Sequence, residues 1–92
     1  MLVQIGNNTL SVIWRYDFPN GIRKTTCIIK SGKGKEGEEL AAQTATCNVN
    51  DHDCKNCARK VTLDRVLKAM GFEKEVKRKF WEAYRDMRNG KY

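Results

Sequence analysis

Hydrophobic and polar residues alternate along the N-terminal half of the chain, which is the pattern of β-strands with one buried face. Residues 9–30 hold two stretches rich in β-branched and aromatic side chains, TLSVIWRYD and IRKTTCIIK, with FPNG between them. Pro19 presets the backbone of the first turn position, while Asn20 and Gly21 tolerate the positive φ that closes a tight turn. This stretch therefore predicts a β-hairpin.

In the simplest pairing of this hairpin, Phe18 lies opposite Gly21 and Val12 lies opposite Cys27. Side chains alternate between the two faces of a strand, so this pairing predicts one row of core-facing residues. The row consists of Leu10, Val12, Trp14, Cys27 and Ile29.

Two further strands are predicted on either side of the hairpin. Residues 2–6, LVQIG, predict a short edge strand, and residues 40–49, LAAQTATCNV, predict a strand whose small side chains leave room for a helix. The residues of this last strand that share one face are Ala41, Ala45, Cys47 and Val49. Residues 31–39, SGKGKEGEE, contain three glycines and no apolar residue, so we expect an exposed connection.

The C-terminal half changes to a helical period, with apolar residues at i, i+3, i+4 and i+7. The first stripe is Leu63, Val66, Leu67 and Met70, and the second is Phe72, Val76, Phe80, Ala83, Tyr84 and Met87. We expect the first helix to begin between Asn56 and Thr62, which are good N-cap residues, and to be capped by Gly71. Asn89 and Gly90 should end the second helix.

Strands followed by helices predict an α+β fold. We expect a small antiparallel sheet of about three to four strands in residues 1–50, packed against a C-terminal αα-hairpin in residues 51–92. The 92 residues suit a single domain, 1–92, with a thin core.

The chain is strongly basic. Eighteen Lys and Arg against eleven Asp and Glu give a net charge of +7, and residues 51–92 contribute +5 from twelve basic and seven acidic residues. This excess favours nucleic acid, an anionic membrane face or an acidic protein as partner. No apolar run approaches the roughly 18 residues of a membrane span, and MLVQIGNN lacks the features of a signal peptide. We therefore expect a cytoplasmic protein without a membrane partner.

The four cysteines are the residues with the most distinctive chemistry. Cys54 and Cys57 have the spacing that supplies two zinc ligands from one turn, and Cys27 with Cys47 could complete a structural zinc site. The alternative is buried thiols, because cysteine is among the most often buried residue types and the cytosol keeps thiols reduced. A redox C-x-x-C pair lacks its βαβ context, and His52 in a loop is a less common ligand. Zinc and packed thiols both stay open, so no cofactor is certain.

No catalytic constellation is present. GKGKEGEE has only the composition of a phosphate-binding loop, because no Ser or Thr follows its lysines and no helix is predicted after it. The chain has one histidine, and its acidic residues have no recognisable catalytic partner. We expect a protein that is not an enzyme.

Basic residues of the loop and helices form the candidate binding surface, because phosphates would take their charge while Trp81 stacks on a base. The candidates are Lys33, Lys35, Arg59, Lys60, Lys74, Lys77, Arg78 and Trp81, with Arg85 and Arg88 also off the apolar stripes. The alternative is a solvated helix surface joined by i,i+4 ion pairs, with Trp81 half-buried. The pairs are Glu73 with Lys77 and Glu75 with Lys79.

Four motifs within residues 25–84 carry a resemblance: TTCII, ATC, D-x-x-C-x-x-x-A-R-K-x-x-L-x-R-x-L and F-W-x-x-Y. Together they resemble a class of small accessory proteins encoded by bacteriophages and prophages. The resemblance implies stoichiometric binding to host machines, including CRISPR-type nucleases and other defence complexes.

The sequence thus supports two hypotheses of different classes. The first is a non-enzymatic phage accessory protein that binds and inhibits a host nucleic-acid-processing or defence complex, as anti-CRISPR proteins do. The second is a direct DNA- or RNA-binding module, with or without structural zinc, that places Arg59, Lys60, Lys77 and Arg78 on phosphates. A metal-dependent or redox enzyme is the remaining alternative, and the sequence does not specify an oligomeric state.

Overall fold

The computed structural model describes residues 1–32, 37–46 and 55–88 as an antiparallel sheet followed by two helices. The elements are β1 (Leu2–Ile5), β2 (Asn8–Asp17), β3 (Lys24–Ser31), β4 (Glu39–Thr46), α1 (Lys55–Met70) and α2 (Lys74–Arg88). Each strand pairs with its neighbour in sequence, which gives the order β1-β2-β3-β4. The predicted α+β fold is confirmed, including the short edge strand at the N-terminus.

The predicted register of the hairpin is wrong by two residues. Trp14 lies opposite Cys27, and Val12 lies opposite Ile29. The strands of the hairpin end earlier than a tight turn requires, so the connection spans residues 18–23. A shift of two leaves every side chain on its predicted face, because the period of a strand is two.

The turn residues adopt the predicted backbone conformations within a longer loop. Pro19–Gly21 form a short 3-10 turn in which Asn20 has φ 55° and Gly21 has φ 79°. The Ile22 N–H donates a hydrogen bond to the Pro19 carbonyl at 3.1 Å. The turn chemistry was therefore readable from FPNG, and the length of the loop was not.

The core lies between one face of the sheet and the two helices. The sheet contributes Val3, Leu10, Val12, Cys27 and Ile29, and the helices contribute Leu63, Val66, Leu67, Phe80, Ala83 and Tyr84. Full burial of one large apolar side chain stabilises the fold by about 1.5–3 kcal/mol. Both predicted helix stripes and the predicted row of the sheet supply this core.

The two helices are joined by a short connection, residues 71–73. α1 begins at Lys55, one residue before the predicted window, and lies over β3 and β4, whereas α2 lies over β1. Gly71 has φ 69°, and its N–H donates to the Lys68 carbonyl at 3.1 Å, which is the predicted C-cap. Neither helix is long and apolar enough to cross a membrane.

Two boundary predictions fall partly outside the described residues. β4 ends at Thr46, and the predicted continuation to residue 49, with Cys47 and Val49, lies outside them. The predicted stop signals of α2 at residues 89–90 also lie outside. Within β4, Ala41 packs against the core as its parity predicts.

Candidate binding site

One side of α2 carries a continuous row of basic side chains. With about 3.6 residues per turn, positions i, i+4, i+7, i+11 and i+14 line up along a helix. In α2 these positions are Lys74, Arg78, Trp81, Arg85 and Arg88, hereafter the basic stripe. Its four cationic residues are exposed, and Trp81 at its centre is half-buried.

The acidic residues of α2 follow the opposite flank. Glu75, Lys79, Glu82 and Asp86 repeat with the same helical spacing and form a row of mostly acidic residues. That row interleaves the two signs at Lys79, as a solvated helix does, whereas the basic stripe itself contains no acidic residue. This arrangement leaves a strongly positive side of the helix, as a polyanionic partner requires.

Trp81 sits in a shallow groove between two arginines. The groove has a volume of about 270 Å³ and is lined by Arg78, Trp81, Glu82 and Arg85. The indole contacts Tyr84 edge to face, with ring centroids 6.0 Å apart at 81°. Tyr84 is buried in the core, so this contact fixes the orientation of the indole. The groove therefore offers an anchored aromatic ring with a guanidinium on either side and the Glu82 carboxylate at its margin.

Arg59 belongs to a different cluster, at the sheet. Its Nε donates a hydrogen bond to the Tyr16 hydroxyl at 2.5 Å, and its guanidinium lies 5.9 Å from the Trp14 ring centroid and 5.8 Å from that of Tyr16. Such cation–π contacts contribute about 0.5–2 kcal/mol each, depending on exposure. We call Trp14, Tyr16 and Arg59 the Arg59 cluster; it places Arg59 against the sheet.

The other predicted binding residues divide as follows. Lys77 is half-buried beside the basic stripe, and Lys60 is exposed on α1. Lys33 and Lys35 lie outside the described residues. Arg85 and Arg88, which the main candidate set omitted, complete the stripe, and their spacing of four and seven from Trp81 was the sequence signal for them.

The predicted zinc ligands are only partly described. Cys27 is fully buried in the sheet, where burial raises the pKa of its thiol to about 12, and Cys57 is exposed on α1. Cys47 and Cys54 lie outside the described residues. Within residues 1–32, 37–46 and 55–88, no group of three or more His, Cys, Asp or Glu residues is placed to hold a metal ion.

A larger cleft, which the sequence did not predict, lies at the end of the sheet near the connection between the helices. Its volume is about 510 Å³, and Met70 and Phe72 line it together with Leu10 and Leu40. Asn7, Asn8 and Thr9 supply polar atoms at its margin. None of its described lining residues ionises near neutral pH, so they provide no acid or base.

No protein-family model, no curated protein and no solved structure matches this chain. The resemblance to phage accessory proteins therefore stays a prediction from sequence motifs, and the geometry of the basic stripe is the main structural clue to function.

Proposed function

We propose that this chain is a non-enzymatic binding protein that uses the basic stripe of α2 to occupy a host nucleic-acid-processing or defence complex and inhibit it. The observation that carries the proposal is the basic stripe of α2, which has four exposed cations and no acidic residue, beside a mostly acidic row on the other flank. A surface that normally holds nucleic acid or presents carboxylates is complementary to such a stripe. The host and phage setting comes from the resemblance described above.

A direct nucleic-acid-binding module is the second candidate, and the groove at Trp81 favours it. The exposed part of an indole can stack on a base, and Arg78 and Arg85 can each contact a phosphate. Stacking of a base on an aromatic side chain contributes about 1–3 kcal/mol. Both candidates use the same residues and differ in the molecule that is bound.

Capture of partners from a bacterial lysate, with and without nuclease treatment, separates the two candidates. Arg78→Glu places a negative charge in the stripe, and Lys79→Glu makes the same charge change on the opposite flank. We expect the wild type and Lys79→Glu to capture a stoichiometric protein partner after nuclease treatment, and Arg78→Glu to lose it. Absence of any stoichiometric partner, or equal capture by both variants, would count against the proposal.

For the second candidate, the measurement is the affinity for a fluorescent oligothymidylate as a function of salt. A direct binder loses affinity with a log–log slope of about 0.7 for each phosphate contacted on a single strand. Absence of binding near physiological salt excludes this candidate and leaves the first untouched.

A further inference from the structure

β4 presents one side of its backbone at the edge of the sheet. In an antiparallel pair, residues alternate between those that exchange backbone hydrogen bonds with the partner strand and those whose N–H and C=O point away from it. The Thr44 carbonyl accepts a hydrogen bond from Arg65 Nη1 at 2.9 Å, so it points away from β3. The Oγ1 atoms of Thr26 and Thr44 are 3.1 Å apart, as expected for the closely spaced side chains of such a pair.

The same alternation shows in which direction the backbone N–H and C=O groups of the neighbouring residues point. Ala42 and Thr46 lie two positions either side of Thr44, so their N–H and C=O groups also face outward. The irregularity in the pairing of β4 lies between Ile29 and Lys30 on β3, which leaves residues 42–46 in regular register. This stretch is a template for one more strand.

The sequence of β4 lacks the usual protection of an edge. Natural edge strands are often short, or carry Lys, Pro or a bulge where another strand would pair. β1, at the other edge, has four residues, whereas β4 has eight, ELAAQTAT, with neither Lys nor Pro and mostly small side chains. Arg65 reaches the outward backbone of β4 through its hydrogen bond to the Thr44 carbonyl.

α1 runs antiparallel to β4 and positions Arg65 over its edge. Arg59 is bonded to Tyr16 at the end of the sheet where β4 finishes, and Met70 shares a cleft with Leu40 where β4 starts. Ala69 lies one turn beyond Arg65 on the same side of α1 and is exposed. On the α1 side of the sheet, an incoming strand therefore meets the Arg65 cation at the Thr44 carbonyl and a small residue beside it.

We propose that residues 42–46 and Arg65 bind an extended acidic segment of a partner protein, which adds to the sheet as a fifth strand. The backbone of the segment pairs with the outward groups of β4. A carboxylate on the α1 side of the segment, opposite Gln43 or Ala45, takes the guanidinium of Arg65 from the Thr44 carbonyl. This surface is separate from the basic stripe, and the inference does not depend on the function proposed for α2.

Charge determines the choice of occupant. A second copy of the chain, paired through β4 about Thr44, would bring two Arg65 side chains together and join two molecules of net charge +7. Glu39 at the start of β4 disfavours further acid at that end, so the carboxylate belongs further along the strand, opposite Gln43 or Ala45, which share the α1 side of the sheet with Ala41. An acidic segment from another protein satisfies both conditions.

The test uses two synthetic seven-residue peptides of alternating Thr and Val, blocked at both termini, which carry either Glu or Lys at the centre. Amide hydrogen exchange of the full chain is followed by NMR at up to about millimolar peptide. We expect the Glu peptide to slow exchange at Ala42 and Thr44 more than tenfold, and the Lys peptide to bind at least about fivefold more weakly, as loss of one charge-assisted contact predicts.

Two variants locate the site. Ala42→Pro removes an outward N–H without removing a bond to β3, so it should weaken the Glu peptide about fivefold while amides of β2 and β3 keep their protection. Arg65→Glu should reverse the preference, so that the Lys peptide binds more tightly, and this test stands even if the proline variant fails to fold. The proposal is overturned if neither peptide slows amide exchange in β4, or if Arg65→Glu still binds the Glu peptide more tightly than the Lys peptide. Slow exchange at Ala42 and Thr44 in the unbound chain would also overturn it. A dimer that Ala42→Pro dissociates would also overturn it, in favour of a second copy.

Discussion

Two clusters of this protein combine a tryptophan with arginine, and they have opposite surroundings. In the Arg59 cluster, Trp14 and Tyr16 on β2 cover the guanidinium of Arg59, whose Nε is bonded to the Tyr16 hydroxyl. In the basic stripe, Trp81 lies between Arg78 and Arg85 in a groove open to solvent. The same residue types thus join α1 to the sheet in one place and leave a charged surface in the other. Their surroundings, and not their identity, indicate which is structural and which can bind.

The largest difference between the clusters should be in stability. Trp14→Ala should lower the free energy of unfolding by about 3 kcal/mol, because it removes a ring that packs against the core and contacts Tyr84 at 5.8 Å. Trp81 is half-buried, as Trp14 is, and also contacts Tyr84, but its neighbouring arginines are exposed whereas Trp14 covers Arg59. Trp81→Ala should therefore cost less, about 1 kcal/mol. Urea unfolding of both variants measures the difference, and a greater loss for Trp81→Ala would contradict the assignment.

The next-largest expected effect is a pH dependence of stability that comes from Cys27, which lies opposite Trp14 in the sheet. Its pKa of about 12 in the fold exceeds the ordinary value of 9.0 because burial disfavours the thiolate. Above the ordinary value the unfolded chain loses the proton and the folded chain keeps it, so stability falls as pH rises from about 9 towards 12. The slope from this group approaches about 1.4 kcal/mol per pH unit.

Lysine and tyrosine side chains also titrate in this pH range. Comparing the pH dependence of stability of the wild type with that of Cys27→Ala isolates the contribution of Cys27. The variant starts from a lower stability, and its decline between pH 9 and 11 should be shallower than that of the wild type when both are followed by urea unfolding. Equal slopes would show that Cys27 is not a buried neutral thiol.

A related experiment tests the zinc alternative. If Cys27 is a packed thiol, a chelator should leave the melting temperature unchanged, and elemental analysis of protein without a histidine tag should find less than about a tenth of a zinc per chain. Near-stoichiometric zinc together with destabilisation by the chelator would establish the structural metal.

Much of the fold could be predicted from the sequence, because each helix and strand is specified by the periodicity and residue types of its own segment. The apolar stripe ending at Met70 and the small, β-branched and aromatic residues of the strands gave the elements and their buried faces. The register between β2 and β3 was missed, since it depends on where the chain leaves the sheet around residues 18–23, and FPNG fixes the turn chemistry without fixing the loop length.

The site was less predictable than the fold. Periodicity alone placed Lys74, Arg78 and Trp81 on one side of α2, because that surface is made by a single helix. The contact of Arg59 with Tyr16 joins residues 43 positions apart, and no local pattern specifies such a pair. The outward backbone of β4 depended in the same way on tertiary structure, through the bond from Arg65 to Thr44.

Smaller effects on stability and binding are expected when one arginine from each cluster is replaced by alanine. Arg59→Ala should cost about 1–2 kcal/mol of stability, through the lost hydrogen bond and cation–π contacts, and should change partner affinity less than twofold. Arg78→Ala should change stability by less than about 0.5 kcal/mol and weaken partner binding severalfold. Thermal unfolding and binding isotherms of the two variants check both expectations; a stability loss confined to Arg78→Ala would reverse the roles of the clusters.

The most direct test of the account is quantitative binding of the captured partner by Arg78→Glu and Lys79→Glu. The two variants have the same net charge and alter adjacent exposed residues on opposite flanks of α2, so non-specific electrostatics affects them alike. The account predicts at least a tenfold loss of affinity for Arg78→Glu and a change of less than about threefold for Lys79→Glu. Equal losses, or a larger loss for Lys79→Glu, would contradict the claim that the basic stripe is the binding surface.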